Sequence, residues 1–248
     1  MEGYTIAEEY ELPSKGKIYD GKVNPIIRLR SMTTEEEMKR LNHSDSSFKV
    51  FSEIIDDCLL DDIGIKAYDL CVSDYQYLTH KLRVVTYGSD YPIQTICPIC
   101  GKINEQTINL DSLKVVEYDE KLNKYRDVVL PITKKRIKIR MQTPRLLDWV
   151  TKKAKEISEK TNISQEQSAF LYTIMSLIES VDGENMDEIK LEQFVRKLPM
   201  RDSNYILQCA NKLNFGIDTK IKCKCKSCKS EYESLIPITG EFFGPSID

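Results

Sequence analysis

Apolar positions along the chain change period three times, and each change predicts a different kind of element. The first thirty residues carry Leu12-Pro13-Ser14-Lys15-Gly16-Lys17, a loop punctuated by proline and glycine. A mostly apolar run from Val23 to Leu29 follows, where Ile26, Ile27 and Leu29 suit a short strand. Thr33-Thr34-Glu35-Glu36 is a capping box that opens a helix, with Thr33 as the N-cap. Phe48, Phe51, Ile54, Ile55, Cys58 and Leu59 then recur at helical spacing, with Glu53, Asp56 and Asp57 on the other face. A third helix starts near Ser73 or Asp74, buries Leu78, Leu82 and Val85, and stops at Gly88.

From Tyr91 to Met141 the period becomes two. Ile93, Thr95 and Cys97 lead into a turn, and Ile103, Thr107, Ile108 and Leu110 leave it. Arg136-Ile137-Lys138-Ile139-Arg140-Met141 alternates as a half-buried strand does. Thr143-Pro144 opens a helix with an apolar stripe of Leu147, Val150, Ala154 and Ile157. Ser164 and Gln167 cap a second, expected to carry Phe170, Ile174, Leu177, Ile178 and Val181. A third runs to Leu198, and a fourth carries Ile206, Cys209 and Leu213, with Gly216 as its left-handed stop. Strand character resumes through Ile221, Cys223 and Cys225 to Ile236 and Ile238.

The pattern predicts an α+β fold. An N-terminal arm and helices (1–88) precede an antiparallel β unit in two pieces (89–142 and 216–248). A helical subdomain of four helices (143–215) is inserted between the pieces. The β unit is zinc-ribbon-like because each piece carries a Cys-x-x-Cys turn. Cys97-Pro98-Ile99-Cys100-Gly101 is the sharper of the two: the turn aims both sulfurs one way, and Gly101 lets the backbone fold beneath them. Cys225-Lys226-Ser227-Cys228 repeats the spacing. Together Cys97, Cys100, Cys225 and Cys228 supply the four sulfurs of a tetrahedral structural Zn2+ site.

The 124 residues from 101 to 224 separate the two pairs. Closing such a loop costs on the order of 4–5 kcal/mol, whereas structural zinc returns about 10–16. Iron suits four thiolates equally well. Cys223 lies on the same face of its strand as Cys225 and competes with it; the matching spacing favours Cys225. Cys58, Cys71 and Cys209 occupy apolar helical positions and read as core.

Composition narrows the function. The 248 residues hold 36 Lys plus Arg against 39 Asp plus Glu, a net charge of −3, with 41% hydrophobic residues. This is a globular chain with a core, and its charge disfavours a globally basic nucleic-acid binder. No stretch is long and apolar enough to span a bilayer, and Met1-Glu2-Gly3-Tyr4-Thr5 does not begin a signal peptide, so a reducing cytoplasm is expected.

Catalytic signals are thin. There is no GxSxG, phosphate-loop, dinucleotide or HExxH motif. His43 and His80 are the whole imidazole supply, and His80, beside Lys81, reads as solvated. The acidic pairs Asp56-Asp57 and Asp61-Asp62 diverge on a helix. A zinc saturated by four cysteines has no open position for substrate, so the chain reads as a non-enzyme. Lys220, Lys222, Lys224, Lys226 and Lys229 around the second pair form a solvated face that offsets thiolate charge. The alternative makes that patch the contact of a zinc-ribbon nucleic-acid-binding protein. Lys134, Lys135, Arg136, Lys138 and Arg140 read as the wet face of a strand.

A set of short motifs then occurs in order: Leu12-Pro13-Ser14-Lys15-Gly16 with Tyr19, Leu29-Arg30-Ser31-Met32-Thr33-Thr34-Glu35-Glu36, and Leu82-Arg83 with Tyr87-Gly88. Cys97-Pro98-Ile99-Cys100-Gly101 comes next, then the second pair and Phe242-Phe243-Gly244-Pro245-Ser246. In this order they resemble the baseplate hub protein family of T-even-type contractile-tailed bacteriophages, over nearly the whole chain. The resemblance implies a tail protein acting in assembly of the baseplate hub, made in the host cytoplasm and found there or in the virion. It implies other tail proteins as partners, compatibility with a homo-oligomer in the hub, and no catalytic residues. Cys97, Cys100, Cys225 and Cys228 fall on its paired-cysteine positions. Phe242 and Phe243 either cover their own core or anchor in a neighbour's pocket. On the docking reading, the N-terminal arm, the inserted helices and this tail supply the contacts.

Overall fold

The computed structural model describes residues 6–41, 48–236 and 240–243. The chain opens with a hairpin in which β1 (Ala7–Glu11) pairs antiparallel with β2 (Ile26–Arg30). The intervening loop is pulled into the core. Leu12 and Ser14 are buried, the Ser14 amide donates to Asp74 Oδ1 at 3.0 Å, and Tyr19 Oη donates to Asp74 Oδ2 at 2.6 Å. The expected extended arm is therefore part of the core, because Leu12, Ile27 and Leu29 have apolar surface to bury and the hairpin gives their backbone partners.

Three helices follow. In α1 (Thr34–Leu41) the capping box forms as expected: the Thr33 amide donates to Glu36 Oε2 at 2.7 Å, and Arg30 Nη2 pairs with Glu36 Oε1 at 2.7 Å. α2 (Phe48–Cys58) and α3 (Val72–Tyr87) carry the apolar stripes read from the sequence, and α3 ends at Gly88 with φ 86°. His43 lies outside the described residues.

Next come the hairpin of β3 (Asp90–Ile96) and β4 (Ile103–Asn109), the short β5 (Val115–Val116), β6 (Asp127–Val129) and β7 (Arg136–Ile139). The helices α4 (Pro144–Lys160) and α5 (Gln165–Leu177) precede β8 (Ile178–Val181), and α6 (Glu188–Arg196) and α7 (Met200–Lys212) follow it. The chain closes with β9 (Gly216–Ile217), which pairs with β5, and the hairpin of β10 (Lys220–Lys224) and β11 (Glu231–Leu235).

Three expectations change here. Arg136–Ile139 does not join the cysteine hairpins: β7 pairs with β6 and β8 in a three-stranded sheet whose buried Ile137 and Ile139 pack with α4, α5, α6 and α7. The second inserted helix stops at Leu177, because Ile178 to Val181 are taken up as the strand beside β7, and Arg140 donates its amide to the Leu177 carbonyl at 2.7 Å. Gly216 is not a helix stop either. Its φ of 96° and the 3.2 Å that a Cβ would leave to Ser73 mark a close approach of β9 to the start of α3.

One core gathers β2, α2, α3, the β3–β4 hairpin and β10; the other lies between the three-stranded sheet and the inserted helices. Asp148 of α4 joins them by capping α2, accepting from the Phe48 and Lys49 amides at 3.3 and 3.2 Å and from Tyr68 Oη at 2.9 Å. Arg145 adds a bidentate pair to Asp69.

The C-terminal aromatics belong to the first core. Phe242 is fully buried and Phe243 2% exposed, on a short turn over Gly240–Phe243. Phe242 packs edge-on to Tyr91 at 5.1 Å between ring centroids, and Phe243 tilts against Phe51 at 5.2 Å. Arg83, itself buried, donates from Nε to the Phe242 carbonyl at 2.9 Å. The docking role expected of the tail does not fit Phe242 and Phe243. Burying two phenylalanines is worth several kcal/mol that exposure would forfeit. Gly244, Pro245 and Ser246 lie outside the described residues, as does Ile238.

His80 is also corrected. It is 2% exposed, not solvated, and among the described residues neither ring nitrogen has a hydrogen-bond partner. Burial pushes its pKa from 6.5 down to about 4, helped by the nearby Lys81 charge. A neutral imidazole stacked on Phe242 is an apolar filler more than a base. Cys58, Cys71 and Cys209 are buried, as expected of core positions.

Candidate metal centre

Both Cys-x-x-Cys turns sit at hairpin tips. In the first, the Cys97 amide donates to the Lys102 carbonyl at 3.0 Å and the Gly101 amide returns to the Cys97 carbonyl at 2.8 Å. In the second, the Cys225 amide donates to Ser230 at 2.9 Å and Lys229 returns to Cys225 at 3.0 Å. The two turns are the same device. The residue after the second cysteine is left-handed in each, Gly101 at φ 68° and Lys229 at φ 63°. Glycine adopts that conformation freely and lysine does so at a cost.

The hairpins stack so that the tips meet. Thr95 Oγ1 and Tyr232 Oη lie 2.6 Å apart, and Gln106 Nε2 donates to Cys223 Sγ at 2.8 Å. Asn104, 2% exposed, donates to the Lys224 carbonyl at 3.2 Å and accepts from the Lys226 amide at 3.1 Å, standing in for a missing strand. These bonds bring together sulfurs that are far apart in sequence. Cys97 and Cys228 Sγ are 3.7 Å apart, Cys100 and Cys225 Sγ 3.6 Å, and all four lie within 4.8 Å of one another. Corners of a regular tetrahedron with metal–sulfur bonds of about 2.3 Å are about 3.8 Å apart, so the donor set fits a tetrahedral ion. Cys97 and Cys225 are buried, while Cys100 and Cys228 are at the surface.

Thiolate character is unevenly spread. The Ser230 hydroxyl and amide lower Cys228 to about 6. The Cys228 amide, with that of Ser227, lowers Cys225. The Lys102 amide favours the Cys100 thiolate, but lost solvation and the neighbouring sulfurs outweigh it and raise Cys100 to about 11. Such repulsion is what a cation at the centre would relieve.

Cys223 is not among the four. It points inward one turn of the pleat below, bonded to Gln106 and packed in the first core. Lys220, Lys222, Lys224, Lys226 and Lys229 are exposed, and Lys222 and Lys224 stand opposite Glu233 and Glu231 on the neighbouring strand. Lys135 and Lys138 are engaged by Asp182 and Glu179, each at 2.6 Å. Asn104 and Gln106 carry no motif in the sequence, and Thr95 reads there only as a strand position leading into the turn. Their signal is parity: each is a polar residue at an inward position of an alternating strand.

The family model of the T4 bacteriophage base plate protein matches residues 4–244. The chain belongs to that family. It is thus a phage baseplate structural protein, and its family points to tail proteins as its neighbours. No curated protein and no solved structure matches it. In this baseplate protein no described helix is long and apolar enough to cross a membrane.

Proposed function

We propose that Cys97, Cys100, Cys225 and Cys228 hold one structural Zn2+ that locks two hairpins into a zinc-ribbon-like platform, and that this platform docks other proteins during assembly of the baseplate hub. The role is non-catalytic and is exercised in the host cytoplasm. The observation that carries the metal reading is the convergence of four sulfurs at tetrahedral separations across 124 residues of chain, from 101 to 224.

The docking reading draws support from the first tip. Ile96, Ile99 and Ile103 are 70%, 69% and 67% exposed, and Ile96 stands directly opposite Ile103. Adjacent exposed isoleucines on a metal-pinned turn are costly for an isolated protein and suit one that covers them with a partner. The test is Ile99→Glu in phage-infected cells, with Ile99→Val as control. The variant protein should keep its metal and fold yet fail to co-sediment with hub proteins. Unchanged co-sedimentation and normal baseplate yield would refute the docking face.

A further inference from the structure

Opposite β11, the outer edge of β10 has no partner strand among the described residues, and its free groups can be named. The Cys225 amide bonds to Ser230 and the Ile236 amide to Thr219, so odd-numbered residues from 219 to 225 face β11. The backbone groups of Lys220, Lys222 and Lys224 therefore point the other way. Three outward groups are already engaged: the Lys220 amide by Asp218 Oδ1, the Lys224 carbonyl and the Lys226 amide by Asn104. That leaves the carbonyls of Lys220 and Lys222 and the amides of Lys222 and Lys224 with no protein partner among the described residues. They form a short run of ladder positions.

This edge opens on a cleft of about 420 Å3 whose walls include Thr107, Ile108, Lys114, Asp218, Lys220 and Lys222. The cleft is a groove open to solvent along the strand, with room for a few residues of extended chain. Charge selects among such chains. Across β11, Lys222 already faces Glu233 and Lys224 faces Glu231, and a strand added on the open side presents its own side chains to the same lysines. A basic strand would set like charges beside Lys220, Lys222 and Lys224, which is how such lysines protect an edge from indiscriminate pairing. An acidic strand satisfies both the ladder and the lysines.

We infer that the outer edge of β10 is a docking site for an acidic, extended peptide segment of a partner protein, bound by strand addition between β10 and the β4 side of the cleft. This deepens the docking role proposed above and rests on it.

The probe is a fluorescent peptide alternating glutamate and valine over eight residues, with a lysine–valine peptide and a glutamate–proline peptide as controls. Anisotropy should report binding of the first alone, weakening as salt rises. Lys222→Pro removes only an outward amide, so β10 and β11 stay paired, and affinity should fall at least tenfold with melting temperature and metal content unchanged. Lys222→Gln keeps the amide and should cost a few-fold, with a shallower salt dependence. Amide exchange at Lys222 and Lys224 should slow when the peptide binds. Equal binding of all three peptides, or indifference to Lys222→Pro in a folded, metal-loaded protein, overturns the inference. So does concentration-dependent self-association that Lys222→Pro abolishes, which would assign the edge to a second copy. If the acidic peptide fails while Ile99 still governs co-sedimentation with hub proteins, the strand-addition site falls and the docking platform stands.

Discussion

Phe242→Ala tests how the C-terminal segment is used. The ring is fully buried and touches Tyr91, Phe243 and His80 at centroid distances of 5.1, 5.6 and 6.4 Å. Removing a buried phenylalanine costs about 3–5 kcal/mol through lost transfer energy and the cavity left behind. Collapse should be poor here: Arg83 holds the backbone of the same residue in place, and the rigid Tyr91 ring cannot follow. The upper half of that range is therefore expected, a large part of the roughly 5–15 kcal/mol typical of a domain. Urea unfolding of the purified protein should show the loss as a lower midpoint at unchanged slope, with a melting temperature lower by about 8–15 °C. A loss under about 1 kcal/mol would refute the reasoning and return Phe242 to the pool of surfaces available to partners.

Acid should weaken the protein in two separable windows. His80 has a folded pKa of about 4, below its ordinary 6.5, so the unfolded chain takes up the proton first and stability falls between pH 6.5 and 4; His80→Leu should flatten that limb of a denaturation series. Glu36, held near 2 by Arg30 and the Thr33 donors, loses its contribution as pH drops from about 4.5 to 2, and Glu36→Gln should cost about 2 kcal/mol at pH 7 and remove that lower limb. Lys229→Gly should stabilise the second tip by about 1 kcal/mol while Gly101→Ala destabilises the first by a similar amount, both read from the chemical midpoint of metal-loaded protein. Asn104→Leu should cost about 2–3 kcal/mol and loosen the tips, because the Lys224 carbonyl and Lys226 amide lose their partner, and amide exchange at Lys226 should accelerate.

Much of the scaffold was legible in the residues. The capping box at Thr33, the Thr143-Pro144 start and the Ser164–Gln167 box each form as read, since a cap acts within four residues and needs no tertiary context. The pairing of two distant cysteine turns was legible as well, because equal spacing encodes equal geometry. What failed to show was everything decided across the fold. Ile178 to Val181 continue an apolar helical stripe, yet they became a strand because β7 offered unpaired backbone beside them. His80 sits next to a lysine, and its buried position is set in part by Phe242, which stacks on it from the far end of the chain. Phe242 and Phe243 were equally compatible with a core and with a partner's pocket, and the cleft between α2, α3 and β3 settles them inside. The choice of Cys225 over Cys223 was legible in the matching spacing, whereas the Gln106 donor that engages Cys223 was not, because Gln106 has no chemical signature of its own.

Metal analysis of the purified protein bears on the central claim most directly, by inductively coupled plasma mass spectrometry of the wild type and of Cys97→Ser. The account predicts about one zinc per wild-type chain, and a Cys97→Ser protein that binds zinc far more weakly and melts at a lower temperature. Wild-type protein purified under reducing conditions without stoichiometric metal, or Cys97→Ser protein that retains it in full, would contradict the account.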